Sequence, residues 1–167
     1  MSSIAKLRQV EQAAESLGRK AVIHLKVDTG MERIGVHSYS CGPLIEAATA
    51  STWCEVKGVY SHLACADDPA SPMTALQLAR FPEACAHFTR IGAPIPIRHL
   101  ANSGGVLHFP DTWLDMVRPG IMLYGVLPDP EAQRNVPIRP ALSLVSQVVY
   151  LKIVQAGHSA GYGATRA

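Results

Sequence analysis

The stretch Ala21 to Val27, "AVIHLKV", is short, apolar, rich in β-branched residues and almost free of alternation. A strand covered on one face alternates apolar and polar side chains, so this run is expected of a strand buried on both faces, as in a parallel sheet. Upstream, Ile4, Leu7, Val10, Ala14 and Leu17 recur at spacings of three and four before Gly18, which predicts an amphipathic helix over residues 3–17 with a glycine stop. Downstream, Pro43 can open a second helix reaching about Thr52, and "VKGVYSHLA", residues 56–64, supplies a second strand. Residues 72–90 read as helical, with Pro82 expected to break or restart the helix because it removes an N–H and crowds the preceding turn. "IPIRHLANS" from Ile95 and "DMVRPGIMLYGV" from Asp115 read as two further strands. Strands alternating with helices argue for α/β architecture with a parallel sheet, either a barrel or an open doubly wound sheet.

After Gly125 the texture changes. "LPDPEAQRNVPIRP" carries Pro128, Pro130, Pro137 and Pro140 in a polar setting, and residues 128–140 read as a linker or crossing. Residues 141–154, "ALSLVSQVVYLKIV", form a long β-branched run that no helix answers, read as a strand opening a separate all-β unit over 141–167. A lone strand cannot bury itself, and an eight-stranded parallel barrel takes roughly 250 residues. The expectation is therefore a partial barrel over 1–127 and the start of a second unit.

With 167 residues, 48% of them hydrophobic, the chain can bury a core. Its formal charge of +2 gives no general attraction to nucleic acid or to an anionic membrane. No run of apolar residues is long enough to span a bilayer, and the N-terminus lacks the apolar centre of a secretion signal, so cytoplasm is the expected compartment. Cys41, Cys54, Cys65 and Cys85 show no C-x-x-C spacing and sit in apolar segments, which suits free thiols rather than a disulfide or a metal site.

In parallel α/β folds reactive groups gather at the carboxyl ends of the strands. Here those ends carry Lys26, Asp28 and Arg33, then His62, then Asn102 and Ser103, then Arg118 with Gly120. Each has an ordinary reading beside a functional one. Lys26 is either a strand-end lysine paired with Asp28 or a working amine. Arg33 is either a solvated loop arginine or a two-pronged carboxylate contact. His62 is either a core histidine or a site group. Ser103-Gly104-Gly105 can expose backbone N–H groups to a phosphate, a weak signal alone.

The segments "HLKVDTGMERIGV", "GVYSHLACADD", "RHLANSGGVL", "DMVRPGIMLYGV" and "GYGAT" occur in the order and near-spacing of the bacterial alanine racemases, which the chain resembles from about residue 20 to its end. The resemblance implies a pyridoxal 5′-phosphate-binding (β/α)8 TIM-type barrel, here its second half, followed by the start of a C-terminal β domain. It implies interconversion of L- and D-alanine through a pyridoxal 5′-phosphate aldimine by two-base proton transfer, supplying D-alanine for peptidoglycan. It also implies a homodimer in which each subunit completes the other's site.

By the same resemblance Arg33 contacts the cofactor's phenolic oxygen and the substrate carboxylate, with Lys26, carbamylated in many relatives, holding it. His62 stacks near the pyridine ring, and Arg118 faces the ring nitrogen with His99 supporting it. Asn102 and Ser103, with backbone groups of Gly120 and Ile121, take the phosphate. Tyr162 is a proton-transfer base in the partner's site. No metal is implied. The family's Schiff-base lysine lies in a motif resembling "KANAYGHG", which does not occur in these 167 residues. The chain alone is therefore expected not to racemise alanine. The competing readings are a non-catalytic cofactor-binding or structural remnant, a single-barrel cofactor carrier, and a serine or broad-specificity racemase.

Overall fold

A computed structural model of the chain describes residues 1–129, 136–159 and 161–164. The first helix, α1 (Ile4–Ser16), starts where the Ser3 side chain accepts the Lys6 N–H, and Gly18 follows its end with a φ of +61°. It leads into β1 (Ala21–Asp28), and a loop then brings in a two-residue strand, β2 (Val36–His37). Next come α2 (Gly42–Thr49), β3 (Cys54–Tyr60), α3 (Met73–Arg90), β4 (Ile97–His99) and a short α4 (Ser103–His108). All pairings are parallel, in the order β2-β1-β3-β4. On β1 the pattern is more alternating than expected: Ile23, Leu25 and Val27 pack into the core with the helices, while His24, Lys26 and Asp28 occupy the intervening positions.

The core lies between the sheet and its helices. Leu7 comes from α1, Leu44 and Ile45 from α2, and Phe81, Ala84, Cys85 and Phe88 from α3, against Leu25, Val27 and Val59 of the sheet. Burying each large apolar side chain contributes about 1.5–3 kcal/mol. All four cysteines are free thiols, and burial pushes Cys85 up to about 12, so it stays a protonated apolar group.

Four elements depart from the sequence reading. Helix α3 runs unbroken through Pro82, because its inward residues Gln77, Phe81, Ala84 and Phe88 keep helical spacing on both sides of an exposed proline. Here packing outweighs the lost hydrogen bond. The expected strand from Asp115 is absent. The segment begins beside β4, with Asp115 N–H on Arg98 O and Arg118 N–H on Ala101 O, and then Pro119 ends it and Gly120–Tyr124 turns as a 3-10 helix.

Strand β2 was not anticipated; two residues are too short a run to show a pattern. Residues 141–154 form no strand, and Leu144, Val149 and Ile153 are nearly fully exposed, since no neighbouring strand is offered among the described residues. Within the expected crossing, 130–135 lie outside the described residues, as do 160 and 165–167. Replacing Pro82 with alanine restores the donor to the Leu78 carbonyl, a gain partly offset by a freer unfolded chain. A net stabilisation of about 1–2 kcal/mol is expected, read as a higher urea midpoint.

Candidate functional site

The carboxyl end of β1 carries Lys26 and Asp28, both 3% exposed. They do not form the ion pair of the ordinary reading: Lys26 Nζ donates to Val27 O at 3.0 Å, and Asp28 accepts the N–H groups of Gly30 and Met31 at 2.8 and 2.9 Å. Asp28 thus folds the β1–β2 loop back on the strand. Gly35 completes that loop at φ +115°, where a Cβ would sit 2.8 Å from Lys26 Cγ. Burial lowers the Lys26 pKa, the charges of Arg118 and Arg33 lower it further, and Asp28 opposes them. For Asp28, burial alone would raise the carboxyl, but the N–H donors of Gly30 and Glu32, the Lys26 charge and Met31 outweigh it and lower its value.

Beside these groups, β3 ends in Tyr60, with Ser61 and His62 just after it, and β4 ends in His99. Arg118 enters from the segment beside β4, which a two-pronged Arg98–Asp115 pair at 2.9 and 3.1 Å holds in place. Its guanidinium donates to His99 Nδ1 at 2.8 Å, Ser61 O at 2.7 Å and Leu100 O at 3.2 Å, and lies 5.2 Å over the Tyr60 ring. Five N–H groups minus these three leaves two, one on Nη1 and one on Nε, that no described residue takes. Tyr60 also stacks on His99 at 4.9 Å and has Lys26 Nζ 5.8 Å from its ring centre. His62 is half-buried, and burial first, then Arg118, Arg33 and Lys26, lower its pKa.

A buried amide behind the strand ends sets their spacing. Gln77 of α3 donates to Thr29 Oγ1 at 3.0 Å and His62 O at 2.8 Å, and accepts the Ala64 N–H at 2.8 Å. The Thr29 and Ser61 hydroxyls meet at 2.7 Å, and Arg80 donates to Thr29 O at 3.1 Å. One helix thereby fixes the end of β1 against the end of β3.

The turn after β4 is held by its own polar side chains. Asn102 and Ser103 turn their side chains inward: Asn102 accepts the Gly105 N–H at 3.0 Å and donates to Leu63 O at 3.1 Å, while Ser103 Oγ donates to Pro119 O and accepts the Met122 N–H at 3.3 Å. Ser103 thus ties the start of α4 to the turn at Gly120. The backbone N–H groups of Ser103, Gly104, Gly120 and Ile121 carry no hydrogen bond to a described residue. Two adjoining turns, tied together by Ser103, therefore leave four N–H donors unengaged, the kind of group from which an anion accepts.

Lys26, His62, His99 and Arg118 are thus gathered at one strand-end face, with Asn102, Ser103, Gly120 and Ile121 on the adjoining turns. Arg33 is exposed and makes no hydrogen bond or ion pair to a described residue, yet its charge reaches both Lys26 and His62. Tyr162 is fully exposed and contacts none of them. A depression of about 670 Å³ lies on the flank between the β1–β2 loop and α3 and includes Glu32, Arg80 and Arg90; Lys26, His62 and Arg118 are not among its walls. Four strands make an open face, so the chemistry gathers on a surface rather than in that hollow. Tyr60, Ser61, Thr29 and Gln77 escaped the sequence reading, which weighed charged groups at strand ends. Gln77 sits on a helix, where the only available signal is a polar residue on an apolar face.

The chain matches the family model described as the alanine racemase N-terminal domain over residues 1–128. It is 44% identical over 149 residues to the alanine racemase of Symbiobacterium thermophilum, covering 89% of this chain and 40% of that protein. Against the Chlorobaculum tepidum alanine racemase it is 40% identical over 158 residues, 95% of this chain and 41% of the relative. The alanine racemase of D-cycloserine-producing Streptomyces lavendulae superposes with a TM-score of 0.89 at 39% identity, over 99% of this chain and 44% of that one. That of Bartonella henselae, with covalently bound pyridoxal phosphate, superposes at 0.68 and 30% identity, over 84% and 39%.

Fold and strand-end face together define a portion of a cofactor-type α/β barrel, and its four parallel strands are a sector of that barrel. The chain belongs to the alanine racemase family, and it spans about two fifths of the length of the relatives it matches.

The histidines set a pH dependence. Burial, then Arg118 and His24, hold His99 at about 4 against an ordinary 6.5, and His24 and His62 are also lowered. In that window the unfolded chain binds more protons than the folded one, so stability falls as pH falls from about 6.5 towards 4. The lowered amino terminus acts with the same sign below its ordinary 8.0. Asp28, Asp115 and Glu11 lose their contributions only below 3.8 and 4.5. The urea midpoint is therefore expected to be lower at about pH 5 than at about pH 7, and equal midpoints would contradict the neutral cluster.

Proposed function

We propose that this chain provides the phosphate-holding and ring-facing part of an alanine racemase that uses pyridoxal 5′-phosphate. The observation that carries the reading is the pairing, at one strand-end face, of four unengaged N–H groups on two adjoining turns with an arginine that keeps two donors free. The N–H groups of Ser103, Gly104, Gly120 and Ile121 fit a phosphate; Asn102 and Ser103 shape that cradle through their inward bonds. Arg118 fits a ring nitrogen acting as acceptor, and the solved Bartonella henselae relative carries covalently bound pyridoxal phosphate.

When bound, the cofactor supplies an electron sink for the pair left when an amino acid loses its α-proton. Arg118, which cannot give up its proton, would face the ring nitrogen and leave it unprotonated, which would restrain side reactions. Exposed Arg33 takes the alanine carboxylate. Lys26, buried and lowered in pKa, is the amine that carbon dioxide modifies: its deprotonated form makes the nitrogen–carbon bond, a proton leaves to solvent, and the new carbamate holds Arg33. His62 relays protons for a tyrosine base.

Tyr162 is that base on one face of the substrate, in the site of a partner subunit; its full exposure suits such a reach. In this reading residues 1–127 belong to the barrel, 128–140 cross out of it, and 141–167 open a β unit. The enzyme is a cytoplasmic homodimer that supplies D-alanine. A segment outside these 167 residues brings the cofactor's lysine.

Pyridoxamine 5′-phosphate, which cannot condense with a lysine, tests the site directly by fluorescence titration of the 167-residue protein. Saturable binding is expected, displaced by inorganic phosphate and at least roughly tenfold weaker for pyridoxamine, which lacks the phosphate. A folded protein that binds both amines alike would overturn the reading. In an enzyme completed with the remaining segments of a relative, Tyr162→Phe should slow α-proton exchange for one alanine enantiomer much more than for the other. Equal loss from both would remove Tyr162 from that role.

A further inference from the structure

His24 takes no part in the roles above, yet the fold makes room for it. It lies on β1 opposite Gly58 of β3, next to a register shift between Ile23 and His24, and β4 lies on the far side of β3. A Cβ at position 58 would stand 2.4 Å from His24 Nδ1 and 2.5 Å from Cε1, so only glycine leaves the ring a passage. Over Gly58 the ring spans the middle strand, and its Nδ1 reaches His99 Nε2 at 2.7 Å, with ring centres 4.9 Å apart.

Proton placement in this chain of three is fixed by its arginine end. Arg118 has only N–H groups to offer, so His99 Nδ1, 2.8 Å away, accepts. The His99 proton must then sit on Nε2, and His24 Nδ1 must accept it. His24 in turn carries its own proton on Nε2. Both rings are neutral, in agreement with the lowered values of both groups.

We propose that His24 is a positioning residue for Arg118: by accepting the His99 Nε2 proton through the gap over Gly58, it holds His99 with its Nδ1 lone pair on the guanidinium. His99 is 3% exposed, so without His24 its Nε2–H has no partner in the protein and little access to water. A half-turn of that ring would exchange Nδ1 for a carbon, and Arg118 would lose its side-chain acceptor, leaving only the carbonyls of Ser61 and Leu100. What the aligned guanidinium does for a cofactor rests on the racemase reading; the hydrogen-bond chain does not.

Long-range proton–nitrogen NMR spectra of the 15N-labelled protein near neutral pH read the tautomers with no cofactor present. His24 and His99 are expected in the Nε2–H form, with a downfield, slowly exchanging His99 Nε2 proton. His24→Leu should speed exchange of that proton and of the Arg118 Nη1 protons at least tenfold. His24→Asn, whose side-chain oxygen approximates the Nδ1 position, should restore most of the protection. Gly58→Ala should reproduce the loss with His24 still present. An Nδ1–H tautomer or an imidazolium at His99 in the unmodified protein would overturn the proposal, as would unchanged exchange in His24→Leu or a failure of His24→Asn to restore it. Such a failure would leave the pyridoxamine phosphate titration standing, and the converse holds as well.

Discussion

The guanidinium of Arg118 is the constraint around which the strand ends are organised. It is always a donor, and three of its N–H groups go to acceptors on two strand ends: Ser61 O after β3, and His99 with Leu100 O at β4. Those carbonyls lie at the edge of the sheet, where the ladder can no longer pair them, and an unpaired buried carbonyl costs about 1–3 kcal/mol. Holding the arginine therefore completes the backbone as well as placing a charge. The Arg98–Asp115 pair and the Arg118 N–H to Ala101 O bring it to this position.

A second regularity is that polar side chains near the strand ends are engaged in shaping backbone. Asn102, Ser103 and Asp28 each bond to main-chain groups of their own or an adjoining turn. The face they create is made of N–H groups, whose directions are set by the fold rather than by rotamers. Rigid donors lose little entropy on meeting an anion, which is how preorganised sites gain affinity. The exposed groups, Arg33 and Tyr162, have no such anchoring among the described residues.

Much of this was legible in the sequence because α/β folds leave local marks. The buried strand β1 showed as a short β-branched run, α1 as a three-and-four spacing, and the strand-end position of Lys26, His62 and Arg118 as polar residues closing apolar runs. What stayed hidden depends on distant partners. Nothing near Asp115 says that β4 stops after His99 and that Pro119 turns the chain aside; nothing near Pro82 says that Phe81 and Phe88 hold a helix together across it. The Lys26–Asp28 pair looked natural by proximity, but side chains two apart in a strand share a face without having to touch, and each found a backbone partner first. His24 was read as part of a strand because its partner is 75 residues away.

The unbroken helix through Pro82 bears on motion as well as on shape. A helix opens most readily where a backbone bond is missing, so α3 is best regarded as two cooperative lengths meeting at residue 82. The later length carries Ala84, Cys85 and Phe88 into the core. The earlier length carries Gln77 and Arg80, which clamp Thr29 and the His62 carbonyl. Fluctuations of the earlier length alone would loosen the spacing between the ends of β1 and β3 while Ala84, Cys85 and Phe88 stayed packed. Because Phe81, on the earlier length, is itself packed in the core, such loosening at the site would draw on the core as well.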